Sequence, residues 1–532
     1  MGREEEIVKE RVKKLVELRK AGINPYSHRF EKKEASSKIQ EKYLKLKPDE
    51  RTKDSIRVAG RIMTIRDIGS LVFATMQDGS GKIQIVLQKG ETSNKVMEFF
   101  SKYVDSGDFI GVEGTVFKTR RGEISILAKK IEMLTKSILP LPEKWHGIVD
   151  EEERYRKRYL DMTVNSEIRK VFETRAKLIE VLREFMKTHE FTEVETPLLQ
   201  GCYGGACAKP FMTHSEAYNS ALYLSIAPEL YLKKALVGGF ERVYEITKKF
   251  RNEGVDKMHN PEHMTIEWYQ SYADYNDGMA LFEELMKDVA VKVTGKIEIE
   301  FQGNTINLAK WRKLPLLDAI KEYLKEDVSK IKSDAEARAV AKKHGIEEAK
   351  LREITRINLP DELMKLFRDK IIQPTFLIDY PVEMCPLAKP SEKDPTKAEI
   401  FQPIIGGMEI ARAYSELNDP HLQEKSFTEQ KSEREKGNKE AMPTDKDFIT
   451  ALLHGMPPAC GVGIGIERLV MLFTNQTTIR NVIMFPFMKP EMIKKDVQEI
   501  AIVEKEEAKI DEKIKKEAKK EKKIKSKKGG KK

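Results

Sequence analysis

No run of eighteen apolar residues occurs anywhere in this 532-residue chain, and its first ten residues, MGREEEIVKE, are charged throughout. Neither a membrane-spanning helix nor a secretory signal is expected, and the composition reads as that of a cytoplasmic protein. Cysteine is scarce: four in the whole chain cannot frame a disulfide scaffold, which agrees with a reducing compartment. Cys202, Cys207 and His214 lie close together, but a tetrahedral zinc site needs a fourth ligand that the neighbouring sequence does not supply. Charge of one sign is not in large excess either. The 96 Lys+Arg against 86 Asp+Glu leave a formal +10, which favours a polyanionic partner without identifying it. At this length two or three domains with a large core are expected.

The chain instead concentrates its charge on patterned segments. From Val243 to Gln270 the sequence reads as a strand, a basic loop and a returning strand. Alternation puts Val243, Glu245, Thr247, Lys249, Arg251 and Glu253 on one face of the first strand. On the second, His263, Thr265, Glu267 and Tyr269 share a face while Met264, Ile266 and Trp268 take the other. Charged groups on a strand near a core are costly unless paired or given a ligand, so the polar face is either solvated or a site.

Elsewhere the order of elements is readable. Ile7, Val12, Leu15, Val16 and Leu18 recur at helical spacing between Arg3 and Ala21, so residues 1–50 carry an amphipathic basic helix, docked on the body or gripping nucleic acid. Five alternating runs between Ile56 and Leu134, with a short helix over Asn94–Tyr103, predict an OB-type β-barrel within residues 51–140. Exposed strands of such barrels bind single-stranded nucleic acid. A connector follows over 141–165. Residues 166–490 form the second body, opening with a long amphipathic helix from Val171 and a strand ended by Pro197. A Lys- and Glu-rich helical stretch near 277–369 reads as an insertion without chemistry of its own. In GGMEIARAYSE, Gly406 to Glu416, alternation puts Arg412, Tyr414 and Glu416 on one face and Glu409 on the other, unless a bulge or bend re-aims it. In GVGIGIERLVMLF, Gly461 to Phe473, a Gly-rich strand enters an apolar helix with Arg468 in its first turn, where dipole and guanidinium both suit a phosphate. Residues 491–532 are a basic tail, disordered or partly helical, expected to add salt-sensitive affinity for RNA.

Three of these segments carry a resemblance. The helix and strand from Val171 to Leu198, FRNE with EHMTIE at Phe250–Glu253 and Glu262–Glu267, and the Gly461–Phe473 segment resemble, in order, motifs 1, 2 and 3 of the class II aminoacyl-tRNA synthetases. The connector, APELYLK and HNPE are most similar to the lysyl members. The resemblance implies an α+β chain: an OB-fold anticodon-binding barrel followed by a catalytic domain on an antiparallel sheet flanked by helices. The implied activity is lysine-tRNA ligation with ATP and Mg2+, on tRNA(Lys), by a homodimer joined through the motif 1 region.

The same resemblance implies the site. Arg251 and Arg468 are catalytic, and ATP is held by Arg251, Glu253, His259, Asn260, His263, Glu409 and Arg468. In this scheme Arg251 meets both the α-phosphate and the amino-acid carboxylate, Glu253 the adenine amino group, and Arg468 the γ-phosphate. His263 stands where the family usually stacks a phenylalanine on adenine. Lysine is held by Gly205, Glu229, Arg251, Glu267, Tyr269, Arg412, Tyr414 and Glu416, with Glu229 on the α-ammonium and Glu416, helped by Tyr269, on the ε-ammonium. Metal is assigned to Glu409, Gln402 and Glu416, and anticodon contacts to Phe73 and Gln84. Two further departures bear on substrate and metal: the family usually has asparagine at Arg412 and a second metal-binding glutamate at Gln402. A catalytically degenerate tRNA-binding paralogue, or a class II enzyme of altered specificity, are the alternatives these departures keep open.

Overall fold

A computed structural model describes residues 3–142, 150–435 and 442–490, with positions 508, 509, 512 and 516 beyond them. Residues 143–149 of the connector, and the rest of the tail expected over 491–532, lie outside the described residues. The described residues form two compact units, one up to residue 142 and one over 150–488.

The first unit is a closed barrel. Its strands β1 (Arg51–Asp67), β2 (Leu71–Gln77), β3 (Lys82–Gln88), β4 (Phe109–Lys118) and β5 (Ile124–Thr135) close in the order β1-β2-β3-β5-β4. Alternate residues such as Ala74, Met76, Ile83, Ile85, Val112 and Ile126 fill the interior. Helices α1 (Arg3–Lys20), α2 (Ser36–Lys42) and α3 (Asn94–Tyr103) complete the unit. The apolar stripe of α1 is covered, with Val8, Val12, Leu15 and Leu18 buried. Arg11 donates from Nη2 to the Ser106 carbonyl at 2.7 Å and from Nη1 to that of Leu139 at 2.8 Å. The helix is thus docked on its unit.

In the second unit α4 (Glu151–Arg156) and α5 (Arg158–Val164) show that the described part of the connector is folded. Arg158 is fully buried, pairs with Asp161 at 3.1 Å and donates to the Arg480 carbonyl at 2.8 Å. Helix α6 (Ser166–Thr188) then leads to β6 (Thr192–Glu193), and α7 (Glu229–Val237) precedes β7 (Arg242–Phe250) and β8 (Glu262–Ser271). After α8 (Tyr275–Thr294) come β9 (Arg312–Pro315), β10 (Thr375–Pro381), β11 (Lys397–Ile405), β12 (Met408–Glu409), β13 (Ala411–Ser415), β14 (Ala459–Gly465) and α9 (Ile466–Phe473). The large sheet runs β9-β10-β11-β13-β14-β8-β7-β6, with β12 beside β11. It is antiparallel through its centre and parallel at both ends, where β9 meets β10 and β6 meets β7.

One face of this sheet is packed. Leu178, Phe185 and Met186 of α6, Phe282, Leu285 and Met286 of α8 and Leu469 and Val470 of α9 cover Ile266, Trp268, Val462 and Ile464. Because side chains alternate, that burial commits Thr265, Glu267 and Tyr269 to the opposite face. The hairpin pairs Glu245 with Glu267 and Lys249 with His263, so the charged faces of β7 and β8 coincide as the alternation predicts.

Two expectations change. β7 ends at Phe250, so Arg251 and Glu253 stand in the loop rather than on the strand; the Arg251 N–H closes that loop on the Pro261 carbonyl at 2.9 Å. The span 277–369 is not one helical insertion, because α8 belongs to the main core and β9 joins the sheet. The added part is a separate apolar cluster built by Leu316, Ile320, Leu359, Leu363 and Phe367 against the outer strands.

Candidate active site

The uncovered face of β8, β13 and β14 floors a cavity of about 610 Å³. It is lined by Gly205, Glu229, Arg251, Glu253, His259, Asn260, His263, Glu267, Tyr269, Gln402, Glu409, Arg412, Tyr414 and Arg468. Of the substrate-site residues expected from sequence, Glu416 alone is not among its walls. It lies directly behind Gly461, where a Cβ would collide with its carboxylate and with the Tyr269 ring.

Glu409 reaches this face through a register shift. β11 pairs Ile404 with Glu409 but Ile400 with Tyr414, so one extra residue is taken up between β12 and β13. The Ile410 N–H donates to the Pro403 carbonyl at 3.0 Å there. A one-residue shift turns side chains to the other face, which puts Glu409 beside Arg412 and Tyr414.

One end of the cavity is acidic. Glu229, 4% exposed in the first turn of α7, accepts the Tyr414 hydroxyl at 2.6 Å and the Lys233 ammonium at 2.6 Å. Lys233 is fully buried and pairs with Glu416 as well. Sequence reading missed it, although its place four residues after Glu229 on a helix was a usable signal. Gly205, with φ of 83°, lets its loop lie against Glu229, since a Cβ there would stand 2.8 Å from the glutamate Cβ. Burial pushes Glu267 up to about 7; Lys249 opposes that shift and Glu229 adds to it. Burial likewise raises Glu416 well above the usual carboxylate range, against the pull of Lys233. This end holds more buried carboxylate than cation and is built to take an ammonium group.

The other end is basic. Arg251, held through Nε to the Ile226 carbonyl at 3.4 Å, and Arg468, whose Nη1 donates to the Glu409 carbonyl at 2.8 Å, flank His263. Burial, reinforced by the Arg251 and Arg468 charges, pushes His263 down to about 3, so its ring is a neutral imidazole at physiological pH. His259 shares its Nδ1 with Asp256 at 2.8 Å, and Asn260 is buried with its amide on the Glu262 carbonyl at 2.5 Å. Arg368 adds a further guanidinium, 3.7 Å from the Glu409 carboxylate. It comes from the stretch read as chemically silent, and nothing in its sequence surroundings announced it.

The three residues expected to hold metal are engaged by the chain itself. Glu416 is committed to the Lys233 ammonium, an existing cation. Gln402 accepts the Tyr380 hydroxyl on its amide oxygen and is hydrogen-bonded to Glu409. Glu409 accordingly stands as the single carboxylate of the expected trio beside guanidinium groups, a poor donor set for Mg2+, which takes oxygen ligands in an octahedron. Arg412 lines the cavity with its guanidinium 6.0 Å from the Tyr380 ring centroid, hydrogen-bonded to Cys385 and within reach of the Glu409 charge, while Tyr414 reaches Glu229.

On the barrel, Phe73 is half-buried on the outer surface rather than in the core, opposite Val86, two residues from Thr75, which faces Gln84. The Gln84 amide oxygen accepts Ser125 Oγ at 2.9 Å and its nitrogen donates to Glu123 at 3.2 Å. Both expected anticodon residues thus share one open face. Among the described residues no helix is long and apolar enough to cross a membrane.

Comparison with known proteins agrees with both units. Residues 150–489 match the family model of tRNA synthetases class II (D, K and N), and residues 56–134 that of the OB-fold nucleic acid binding domain. A lysine-tRNA ligase of Carboxydothermus hydrogenoformans is 48% identical over 492 residues, covering 91% of this chain and 98% of the relative. One of Pelotomaculum thermopropionicum is 48% identical over 501 residues, covering 92% and 96%. One of Thermotoga maritima is 44% identical over 496 residues, covering 93% and 98%. With three motifs in order, a sheet that brings the second and third of them to one bipolar cavity and a family match over most of its length, the chain belongs to the class II tRNA synthetases of the D, K and N family.

Proposed function

We propose that this chain is a lysine-tRNA ligase, which activates lysine with ATP and passes the lysyl group to the 3′ end of tRNA(Lys). The polarity of the cavity carries the reading. An amino acid with two ammonium groups fits the end holding Glu229, Glu267 and Glu416, and a polyphosphate fits the end holding Arg251 and Arg468.

In the first step a lysine carboxylate oxygen attacks the ATP α-phosphorus. The bond to the bridging oxygen breaks, and pyrophosphate leaves against Arg468. Arg251 neutralises both oxyanions and fixes their approach, Glu253 accepts from the adenine amino group, and neutral His263 stacks on the base. In the second step a terminal ribose hydroxyl attacks the lysyl carbonyl and AMP departs. Alignment and charge neutralisation supply the catalysis, so no dedicated general base is required. Glu229 takes the α-ammonium, while Glu416 with Tyr269 takes the ε-ammonium. A neutral side chain would leave the surplus of buried carboxylate over cation at this end, Glu229, Glu267 and Glu416 beside Lys233, without its balancing charge, which is the basis of selection.

Amino-acid-dependent exchange of pyrophosphate into ATP tests the reading across all the standard amino acids. Lysine alone should support it. Exchange with a different amino acid would mean altered specificity, and none with any, even after tRNA is added, would favour a non-catalytic tRNA-binding protein. The raised Glu267 adds a sign: a proton must leave that carboxyl for a bound ammonium to be paired fully. Lysine affinity should therefore rise as pH rises through about 7, with proton release seen by calorimetry in buffers of different ionisation enthalpy. Flat affinity across that window would remove Glu267 from the pocket's charge balance.

The barrel reads the anticodon through Phe73 and Gln84. Phe73→Ala should weaken tRNA binding by roughly 1–3 kcal/mol while lysine-dependent exchange stays at wild-type level. Loss of exchange in parallel would argue that Phe73 serves the fold. We further propose a cytoplasmic homodimer joined through the motif 1 region, α6 and the edge strand β6.

A further inference from the structure

The guanidinium end of the cavity carries one more assignment, which rests on its reading as an ATP site. Arg468 donates to the Glu409 main chain at 2.8 Å, and Arg368 stands 3.7 Å from the Glu409 carboxylate. The buried neighbour Gln402 has both ends of its amide engaged, the oxygen with the Tyr380 hydroxyl and the other end with Glu409. An ionised carboxylate only accepts, so the amide nitrogen is the end that faces Glu409. A divalent cation bridged to Glu409 would then meet N–H donors where it requires oxygen lone pairs.

Arg412 is hydrogen-bonded to the buried Cys385 thiol and feels the Glu409 carboxylate. Its side chain is exposed to the cavity, with the guanidinium 6.0 Å from the centroid of the buried Tyr380 ring. Tyr380 thus ties the two departures from the family pattern together, capping Gln402 on one side and steadying Arg412 on the other.

We propose that Arg412 is a nucleotide-phosphate ligand that takes the charge-neutralising place of a chain-held divalent cation, so that nucleoside triphosphate binds without a metal bridge to Glu409. A guanidinium is suited to this, because it is always charged and presents donors in a fixed fork that matches two phosphate oxygens.

The test is equilibrium binding of the non-hydrolysable β,γ-methylene analogue of ATP to the full chain, in EDTA and in magnesium. Wild type should weaken by less than about tenfold in EDTA. Arg412→Asn should lose roughly 10- to 100-fold in EDTA, the worth of a hydrogen-bonded charged contact, and far less in magnesium. Arg412→Asn combined with Gln402→Glu should show a steep dependence on magnesium. Each variant's unfolding midpoint is read alongside, and the wild-type arm stands on its own if a variant fails to fold. Wild-type binding that collapses in EDTA, or an equal ratio between the two buffers in wild type and Arg412→Asn, overturns the proposal. Lysine-dependent exchange by wild type separates the two failures: with exchange intact only this inference falls, and without exchange for any amino acid the ligase reading falls with it.

Discussion

Lys233→Met should destabilise the catalytic unit by about 3–5 kcal/mol at neutral pH, the usual cost of removing one partner from a buried ion pair. Methionine retains most of the apolar stem, so the loss isolates the charge. Without the ammonium, Glu229 and Glu416 become buried carboxylates with no cation between them. Burial already holds the Glu416 carboxyl well above its ordinary range, so the folded state takes up a proton where the unfolded chain has lost it. Stability from that group is fully present below the unfolded value and is lost as pH rises from there towards the folded one. The deficit of the variant should therefore be smaller near pH 5 than near pH 7.5, measured as the urea midpoint of the catalytic unit. Free lysine, which brings its own ammonium groups, should raise that midpoint more in the variant than in wild type. A deficit that ignores both pH and lysine would mean that Lys233 contributes packing and not charge.

Arg251→Ala should lower lysine-dependent pyrophosphate exchange by about 10²–10³-fold, the range seen when one donor to a developing oxyanion is removed. The residue stands on the motif 2 loop, half-exposed, with its Nε on the Ile226 carbonyl at 3.4 Å and the rest of the guanidinium facing the cavity. The unfolding midpoint should accordingly change little. Arg251→Lys keeps a charge but loses the planar fork, so it should recover a minor part of the rate. The fall should appear in kcat as well as in KM, because the α-phosphate gains charge only as the lysine carboxylate attacks. An effect confined to KM would make Arg251 a binding residue with no share in the chemical step.

The neighbouring charges show why these two positions were unequally visible beforehand. Arg251 sits in a four-residue word, FRNE, whose family resemblance is carried by adjacent letters. Lys233 is equally close to Glu229 in sequence, but its meaning depends on Glu416, which follows the end of β13, far away in the chain. Arg368 had no local mark at all: it lies in a Lys- and Glu-rich stretch and gains its role by packing against Glu409.

By itself the sequence determined the barrel, the hairpin of β7 and β8 with its charged face, the docked character of the first helix's apolar stripe as one of two readings, and the order of the three motifs. Those are properties of periodicity and of short words, fixed by neighbouring residues through strand pleat and helical turn. Only the tertiary structure decided that one residue is taken up between the pairs Ile404–Glu409 and Ile400–Tyr414, which turns Glu409 into the cavity. It alone decided that Glu416 pairs with Lys233, that Gln402 spends its oxygen on Tyr380, and that Arg412 lies beside the Tyr380 ring. The reason is physical: which face a residue takes is local, whereas which charge it meets is set by strand register and by packing between segments distant in the chain.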